Sequence, residues 1–416
     1  MIQIQTKRPL HLFDGYGVEM EYMIVDKDTL DVLPVSDKIL ETIAGEITSE
    51  VSRGALAWSN ELVMHVIEIK TDGPAAGFQG LSEGFQAEVS KINEILAGMN
   101  ARLMPGAMHP WMDPFTEMKL WPHEYNPIYE AYNRIFDCRG HGWVNLQSTH
   151  LNLPFDGDQE FGKLNAALRI LTPLLPALSA CSPIAGGEQK PFLDYRMEVY
   201  RTNSDRIPSV AGLIIPEAHF SRDACYEHIF GPMYRDVAPL DPDGILQEEW
   251  LNSRGVMARF DRGAIEVRVI DIQECPKADL AILALFTAVT QALTEERWSS
   301  VEEQKKWHEK DLYEILMSTA THAEKAEISD PRYLRLFGSD KTALSAGQLW
   351  QHLYDEVKDS ALFTKEHHET LALMFRHGPL GRRILKALPQ PFSKADLKSV
   401  YGKLCDCLES NGLFLP

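Results

Sequence analysis

The chain is poor in cysteine and short of positive charge, and each shortage narrows what it does. Six cysteines among 416 residues, at positions 138, 181, 225, 275, 405 and 407, are too few and too scattered for a disulfide framework. Cys405-Asp-Cys407 has no second pair to complete a thiolate metal site, and a helix there turns the two thiols to different faces. A reduced, cytoplasmic protein is the expectation. Lys and Arg number 41 against 60 Asp and Glu, a formal net charge of -19, which disfavours nucleic acid and anionic membranes as partners. No apolar run reaches the ~18 residues of a bilayer span; the longest, residues 281–293, carries Thr and Gln. The opening MIQIQTKRPLHLFDG lacks the basic segment, apolar run and cleavage site of a secretion signal. Also missing are the P-loop G-x-x-x-x-G-K-[ST], a G-x-G-x-x-G turn after a strand, a G-x-S-x-G elbow and H-E-x-x-H.

What is present reads as an α+β protein. Hydrophobic residues make up 44% and charged residues 24%, an ordinary globular composition. Residues 15–26, 61–70, 143–155 and 264–272 alternate or are rich in β-branched residues, and are expected as strands. Apolar residues at 78, 81, 85, 89, 92, 96 and 99 mark a helix, and residues 160–180 a second one interrupted by proline. Residues 109–130 and 181–255 read as loops and irregular chain. From 278 onward the spacing is helical almost throughout. The expected division is a mixed unit over 1–276 and a helical region over 277–416 that packs on it.

The strands carry charge where a core is expected. In GVEMEYMIVD, Glu19 and Glu21 share one face, with Val18, Met20, Tyr22 and Ile24 on the other. Glu68 lies in VIEIK, Glu266 and Arg268 share a face of AIEVRV, and His150 and Asn152 share a face of STHLNLP. Glu61, seven residues before Glu68, falls on the opposite face under strict alternation, so it sits on a turn or a bulge intervenes. An exposed sheet face or arginine salt bridges would tolerate each carboxylate taken singly. Taken together, carboxylates and one imidazole suit a hard divalent cation, Mg2+ or Mn2+. Arg196, Arg201, Arg206, Arg254, Arg259, Arg262 and Arg268 accompany them, and carboxylate-bound metal flanked by arginine is the apparatus of phosphoryl transfer from ATP.

GVEMEYMIVD, ELVMHVIEIKT, MHPW, STHLNLPF, LDYRM and GAIEVRVID occur in an order that resembles the glutamate–cysteine ligase and carboxylate–amine ligase family. The resemblance covers residues 13–275 and implies a glutamine synthetase-like fold: an antiparallel half-funnel sheet with packed helices. It implies that Glu21, Glu61 and Glu68 surround one Mg2+ (or Mn2+), and that Glu19, His150 and Glu266 surround a second that bridges the ATP phosphates. Glu266 and Arg268 become the catalytic pair, with Arg268 on the transferring phosphoryl group. Arg196 and Arg206 fall in segments that resemble the family's substrate and nucleotide loops, and Asn152, Arg259 and Arg268 are expected at substrate or nucleotide as well. The implied reaction activates a carboxylate, glutamate or a similar acid, as an acyl phosphate and couples it to an amine. This sequence has His150-Leu-Asn152 where many relatives have H-x-H, AMHPW where GTHPF is common, and SNELVMH where PELTQS is usual. These departures leave acceptor and acid open. A guanidino-type phosphotransferase and a non-catalytic amino-acid- or nucleotide-binding homologue are the alternatives. Partners are small molecules, with a homo-oligomer allowed.

Overall fold

The structure, a computed structural model, describes residues 2–6 and 8–416. Its centre is an antiparallel sheet of eight strands: β1 (Gly17–Asp26), β2 (Glu50–Ser52), β3 (Leu56–Asn60), β4 (Val66–Thr71), β5 (Ala101–Met104), β6 (Ser148–Pro154), β7 (Val256–Arg259) and β8 (Ala264–Asp271). Their order is β2-β3-β4-β1-β6-β8-β7, with β5 also paired to β1 along Met23–Asp26. The expected α+β sheet with packed helices is therefore present. The run 61–70 does not form one strand. Residues 61–65 form the bend between β3 and β4, and only the rest of the run is strand, which puts Glu61 on the turn, the first of the two placements its spacing allowed.

Alternation decides which face is buried. Val18, Met20, Tyr22, Ile67, Ile69, Leu151, Leu153, Ile265 and Val267 join one hydrophobic cluster on one side of the sheet. Helices α1 (Leu81–Ala97), α2 (Asn126–Phe136), α3 (Gly157–Leu171), α4 (Tyr195–Thr202) and α5 (Pro276–Thr294) lie around the sheet. α1 covers this face through Phe85, Val89, Ile92 and Leu96, and α3 through Leu164, Leu168 and Leu171. Each such side chain contributes about 1.5–3 kcal/mol when fully buried. α5 packs against α1, α3 and the later helices Ala346–Val357 and Lys365–His377. It is 19 residues long and apolar enough to cross a membrane, longer than its uninterrupted apolar run, but 89% of its apolar window is buried inside the protein. A helix apolar on all sides is a core helix when other helices surround it.

Two stretches expected to be irregular contain helices. Residues 109–130 include the start of α2, and 181–255 include α4 and a helical run from Arg222 to Val237. The polar face of α4 and Pro232 within the run break the apolar periodicity that sequence reading relies on. All six cysteines are free; Cys405 is buried and Cys407 half-buried on the helix Lys394–Ser410.

Candidate active site

Strand register arranges the polar residues as a grid on the sheet's open face. Glu21 pairs with Glu68, Glu19 lies between Lys70 and His150, and Asn152 lies between Gly17 and Glu266. A Cβ on Gly17 would come within 2.9 Å of that of Asn152, so the missing side chain is what lets β1 and β6 close here. A bulge between Val267 and Ile270 of β8 inserts one extra residue, and Arg268, within it, lines the same cavity as Glu266.

Each carboxylate but one has fixed donors. Glu19 Oε2 lies 2.9 Å from His150 Nδ1, and Asn152 Nδ2 donates to Oε1 at 3.0 Å. Glu21 accepts from the Ser148 backbone N–H at 2.6 Å and from its hydroxyl at 3.0 Å. Glu68 accepts from the Ser59 hydroxyl at 2.6 Å, with Lys70 Nζ at 3.3 Å. Glu61 brings a further, half-buried carboxyl against Glu21 and Glu68 from the bend before β4. Burial pushes its pKa well above the usual carboxylate range, and the charges of Glu21 and Glu68 push it further. Burial and the charge of Glu19 likewise raise Glu68 to about 7, against Lys70 and Ser59. Burial also opposes ionisation of Glu19, but the hydrogen bond and charge of His150 outweigh it and bring Glu19 down to about 2. His150 is the reciprocal case: burial disfavours its cation, and Glu19, Glu21 and Glu266 raise it to about 9.

Two overlapping groups of side chains could hold a metal ion. Oxygen atoms of Glu21, Glu61 and Glu68 lie within 4.8 Å of one another, as do ligand atoms of Glu19, Glu68 and His150. Negative charge concentrated around few cations, with oxygen donors and one imidazole, fits a hard divalent ion. The second group brings Glu68 to Glu19 and His150, where the resemblance implied Glu266. The Glu266 carboxylate is instead held by Arg268, whose Nη2 and Nε lie 2.5 and 2.9 Å from Oε1.

Above the grid is a cavity of about 400 Å³ that Glu19, Glu21, Glu61, Glu68, His150, Glu266 and Arg268 all line. Arg196 and Arg259 line it too. Asn152 lines an adjoining cavity of about 600 Å³ that shares Glu19, Lys70 and Arg262 with the first. Arg206 is not brought there. It is exposed, and its guanidinium donates to the carbonyls of Arg134 and Ile135 near the end of α2. Arg201 pairs with Glu198 at 2.5 Å and Arg254 with Glu217 at 2.6 Å, also away from the lining. Arg259 is bidentate to Asp261 at 3.0 and 2.8 Å, and Arg196 Nη2 donates to the Arg268 carbonyl at 2.9 Å.

Sequence reading missed Lys70, Ser59 and Ser148. Lys70 and Ser148 each stand two residues from a flagged side chain, on the same strand and face, a spacing that marks them once the strand is recognised. It also missed the aromatic side chains of the cavity. Tyr129 and Tyr132 line it one helical turn apart, with Tyr129 in the stretch 109–130 read as loop and Tyr132 just beyond it.

A model of glutamate-cysteine ligase family 2 matches residues 16–401. An uncharacterized Archaeoglobus fulgidus protein is 32% identical over 96% of this chain and all of its own length. A Rubrobacter xylanophilus protein named "Putative glutamate--cysteine ligase 2-1" is 27% identical over 68% of each chain. Among solved structures, glutamate–cysteine ligase from Francisella tularensis in complex with AMP superposes with a TM-score of 0.63 at 13% identity, over 95% of this chain and 89% of that one. A bifunctional glutathione synthetase from Pasteurella multocida gives 0.59 at 13% identity, over 96% of this chain and 53% of that one. At these identities the two structures speak to the fold.

Proposed function

Because the chain belongs to glutamate–cysteine ligase family 2, we propose that it is an ATP- and Mg2+-dependent carboxylate–amine ligase that forms an amide through an acyl phosphate. The observation that carries this reading is the pair of ligand sets joined by Glu68 on the open face of the sheet. Glu21, Glu61 and Glu68 would hold one divalent ion and Glu19, Glu68 and His150 another; when bound, such ions supply positive charge to phosphate oxygens and to the substrate carboxylate. The wider cavity beside Gly17 and Asn152 has room for a nucleotide. ATP lying there points its phosphates along Glu19 and His150 toward the smaller cavity.

The protein's own groups then do three things. Arg268, held in plane by Glu266 and carried on the bulge of β8, faces the transferring phosphoryl group and stabilises the charge that spreads over it. The grid orients the acid so that its carboxylate oxygen meets the γ-phosphorus in line, which converts an encounter into a positioned reaction. Ser148 and Ser59 fix the rotamers of Glu21 and Glu68, so the ligand oxygens are in place before substrates arrive. The carboxylate oxygen forms the new bond to phosphorus and ADP leaves. The amine nitrogen then bonds to the acyl carbon and inorganic phosphate departs with the carboxylate oxygen.

The test is ADP release from Mg2+-ATP over a matrix of acids, glutamate first, and amines, with product mass as the second readout. Release that requires acid, amine and metal together is expected, with an amide as product. A folded, metal-loaded protein that turns over no pair would overturn the proposal, and a phosphorylated product in place of an amide would reassign it to phosphotransfer.

A further inference from the structure

The bulge takes Arg268 out of the regular ladder, so something besides the neighbouring strand β6 has to hold it. Between Val267, opposite Leu151, and Ile270, opposite Thr149, β8 places two residues where β6 places one. Arg268 and Val269 therefore share the position opposite His150. A bulged residue loses the pairing that fixes its orientation, and each of its buried backbone groups needs another partner. The Arg268 N–H donates to the Gly255 carbonyl at 3.1 Å, on the β7 side. Its carbonyl accepts from Arg196 Nη2 at 2.9 Å. The backbone of Arg268 is thus oriented in part by a side chain of α4.

Arg196 is anchored in turn to the same strand. Its backbone N–H donates to the Ser182 hydroxyl at 3.0 Å, and that hydroxyl donates to Asp271 Oδ2 at 2.9 Å. Arg196 Nη1 lies 3.6 Å from Asp271 Oδ1. Asp271 ends β8 three residues beyond Arg268, so the contacts close a ring that leaves β8 at the bulge and returns to it. Asp194 caps α4 by accepting from the Met197 N–H at 2.8 Å, which sets the first turn, where Arg196 stands. Tyr200, one turn on, brings its hydroxyl to the Arg268 guanidinium and donates to the Ser253 carbonyl at 2.9 Å. α4 therefore meets Arg268 twice, at its backbone and at its side chain. Gly255 fits against the bulge from the other side: a Cβ there would lie 2.7 Å from Val269 Cγ1. Arg196 is 2% exposed and lines the cavity, and its Nε and Nη1 are buried without a hydrogen-bond partner.

We propose that Arg196 is a positioning residue: it sets the backbone of the β8 bulge so that Arg268 stays against Glu266 and faces the transferring phosphoryl group, and it acts on the reaction through Arg268. The inference rests on the ligase reading for the reaction and on the bulge for the geometry. A guanidinium suits the task, because its fork is planar and always charged and its bond to a carbonyl is charge-assisted. Arg268 meets charge that spreads over the phosphoryl group during transfer. A displaced Arg268 therefore costs the chemical step, while the binding of ATP, acid and amine is left in place.

The experiment uses the full chain with Mg2+-ATP and the acid–amine pair that gives most ADP, in the wild type, Arg196→Met, Arg196→Lys, Arg268→Ala and the two double variants. Arg196→Met is expected to lower kcat about 100-fold, the effect of a misplacement of about 1 Å, with each KM unchanged. Arg196→Lys keeps a donor and a charge beside Asp271, and is expected to lose about tenfold. In the Arg268→Ala background neither change should lower kcat further, because a residue that acts only through another has nothing left to act on. If Arg196→Met does not fold, Arg196→Lys and its double variant carry the same comparison. Losses that multiply in the double variants, or a raised KM with kcat unchanged, would place Arg196 on a ligand and overturn the inference. Crystal structures of the wild type and the Arg196 variants supply a readout independent of turnover. Arg268 is expected to leave Glu266, and an Arg268 that keeps its place in every folded variant would overturn the inference. A wild type that turns over no pair would overturn the ligase reading alone, and the crystal structures would then decide whether Arg196 positions Arg268.

Discussion

The two faces of one sheet are built from neighbouring residues and obey opposite rules. On β4, Ile67 and Ile69 are fully buried against helices, while Glu68 and Lys70 line the cavity. The apolar face is stable by itself, because every methyl group removed from water lowers the free energy. The open face crowds Glu21, Glu61 and Glu68 together, and what offsets their repulsion is a few donors and the cations His150, Lys70 and Arg268. The difference teaches that the charged face depends on the packed one, which holds close together charges that would otherwise separate.

Substitutions on adjacent residues break the comparison most directly. Ile67→Glu places a carboxylate between Tyr22 and the helices of the core, where no cation is in reach. We expect a loss of several kcal/mol, most of the stability of a typical domain, read as absence of a cooperative melting transition. Glu68→Gln is expected to do the reverse. It removes the carboxylate common to both ligand sets, so turnover should fall by about 100-fold or more, while the metal-free melting temperature rises because repulsion with Glu19 is relieved. A Glu68→Gln protein that melted lower without metal and kept full turnover would show that the residue is a structural one.

Acid sharpens the contrast more gently. His65 and His109 are fully buried, and burial holds each down at about 4, against hydrogen bonds to the carbonyls of Val144 and Leu30. Their folded pKa lies below the unfolded value of about 6.5, so the unfolded chain takes up protons first. Stability is then complete above about pH 6.5 and falls as pH drops toward 4, by about 2 kcal/mol for each histidine at pH 5. Denaturant midpoints from pH 7 to 5 check this. His65→Gln with His109→Gln should flatten the curve, and an unchanged slope in that pair would assign the acid sensitivity to other groups.

Much of this was legible in the chain. Alternation around Glu19, Glu21, Glu68, His150 and Glu266 announces both the strands and the polar face, because a period of two separates the faces without reference to anything distant. Glu61 illustrates the boundary: its spacing allowed a turn or a bulge, and only the break between β3 and β4 selected the turn. Arg206 marks an outright limit. A guanidinium looks alike in sequence whether it faces a phosphate or caps a helix, and here it binds the carbonyls near the end of α2.

What the amino-acid order determined by itself is therefore local: which residues lie on which face of each strand, and that one face is charged. Which side chains come together was a tertiary decision, since the pairing of β4 with β1 brings Glu68 beside Glu19 and His150 and Arg268 holds Glu266. The aromatic part of the cavity lining was decided in the same way, by Tyr132, Trp143 and Trp250 meeting from separated segments. Local periodicity is written in one stretch of chain, whereas a distance between stretches exists only after the core has closed and fixed their register.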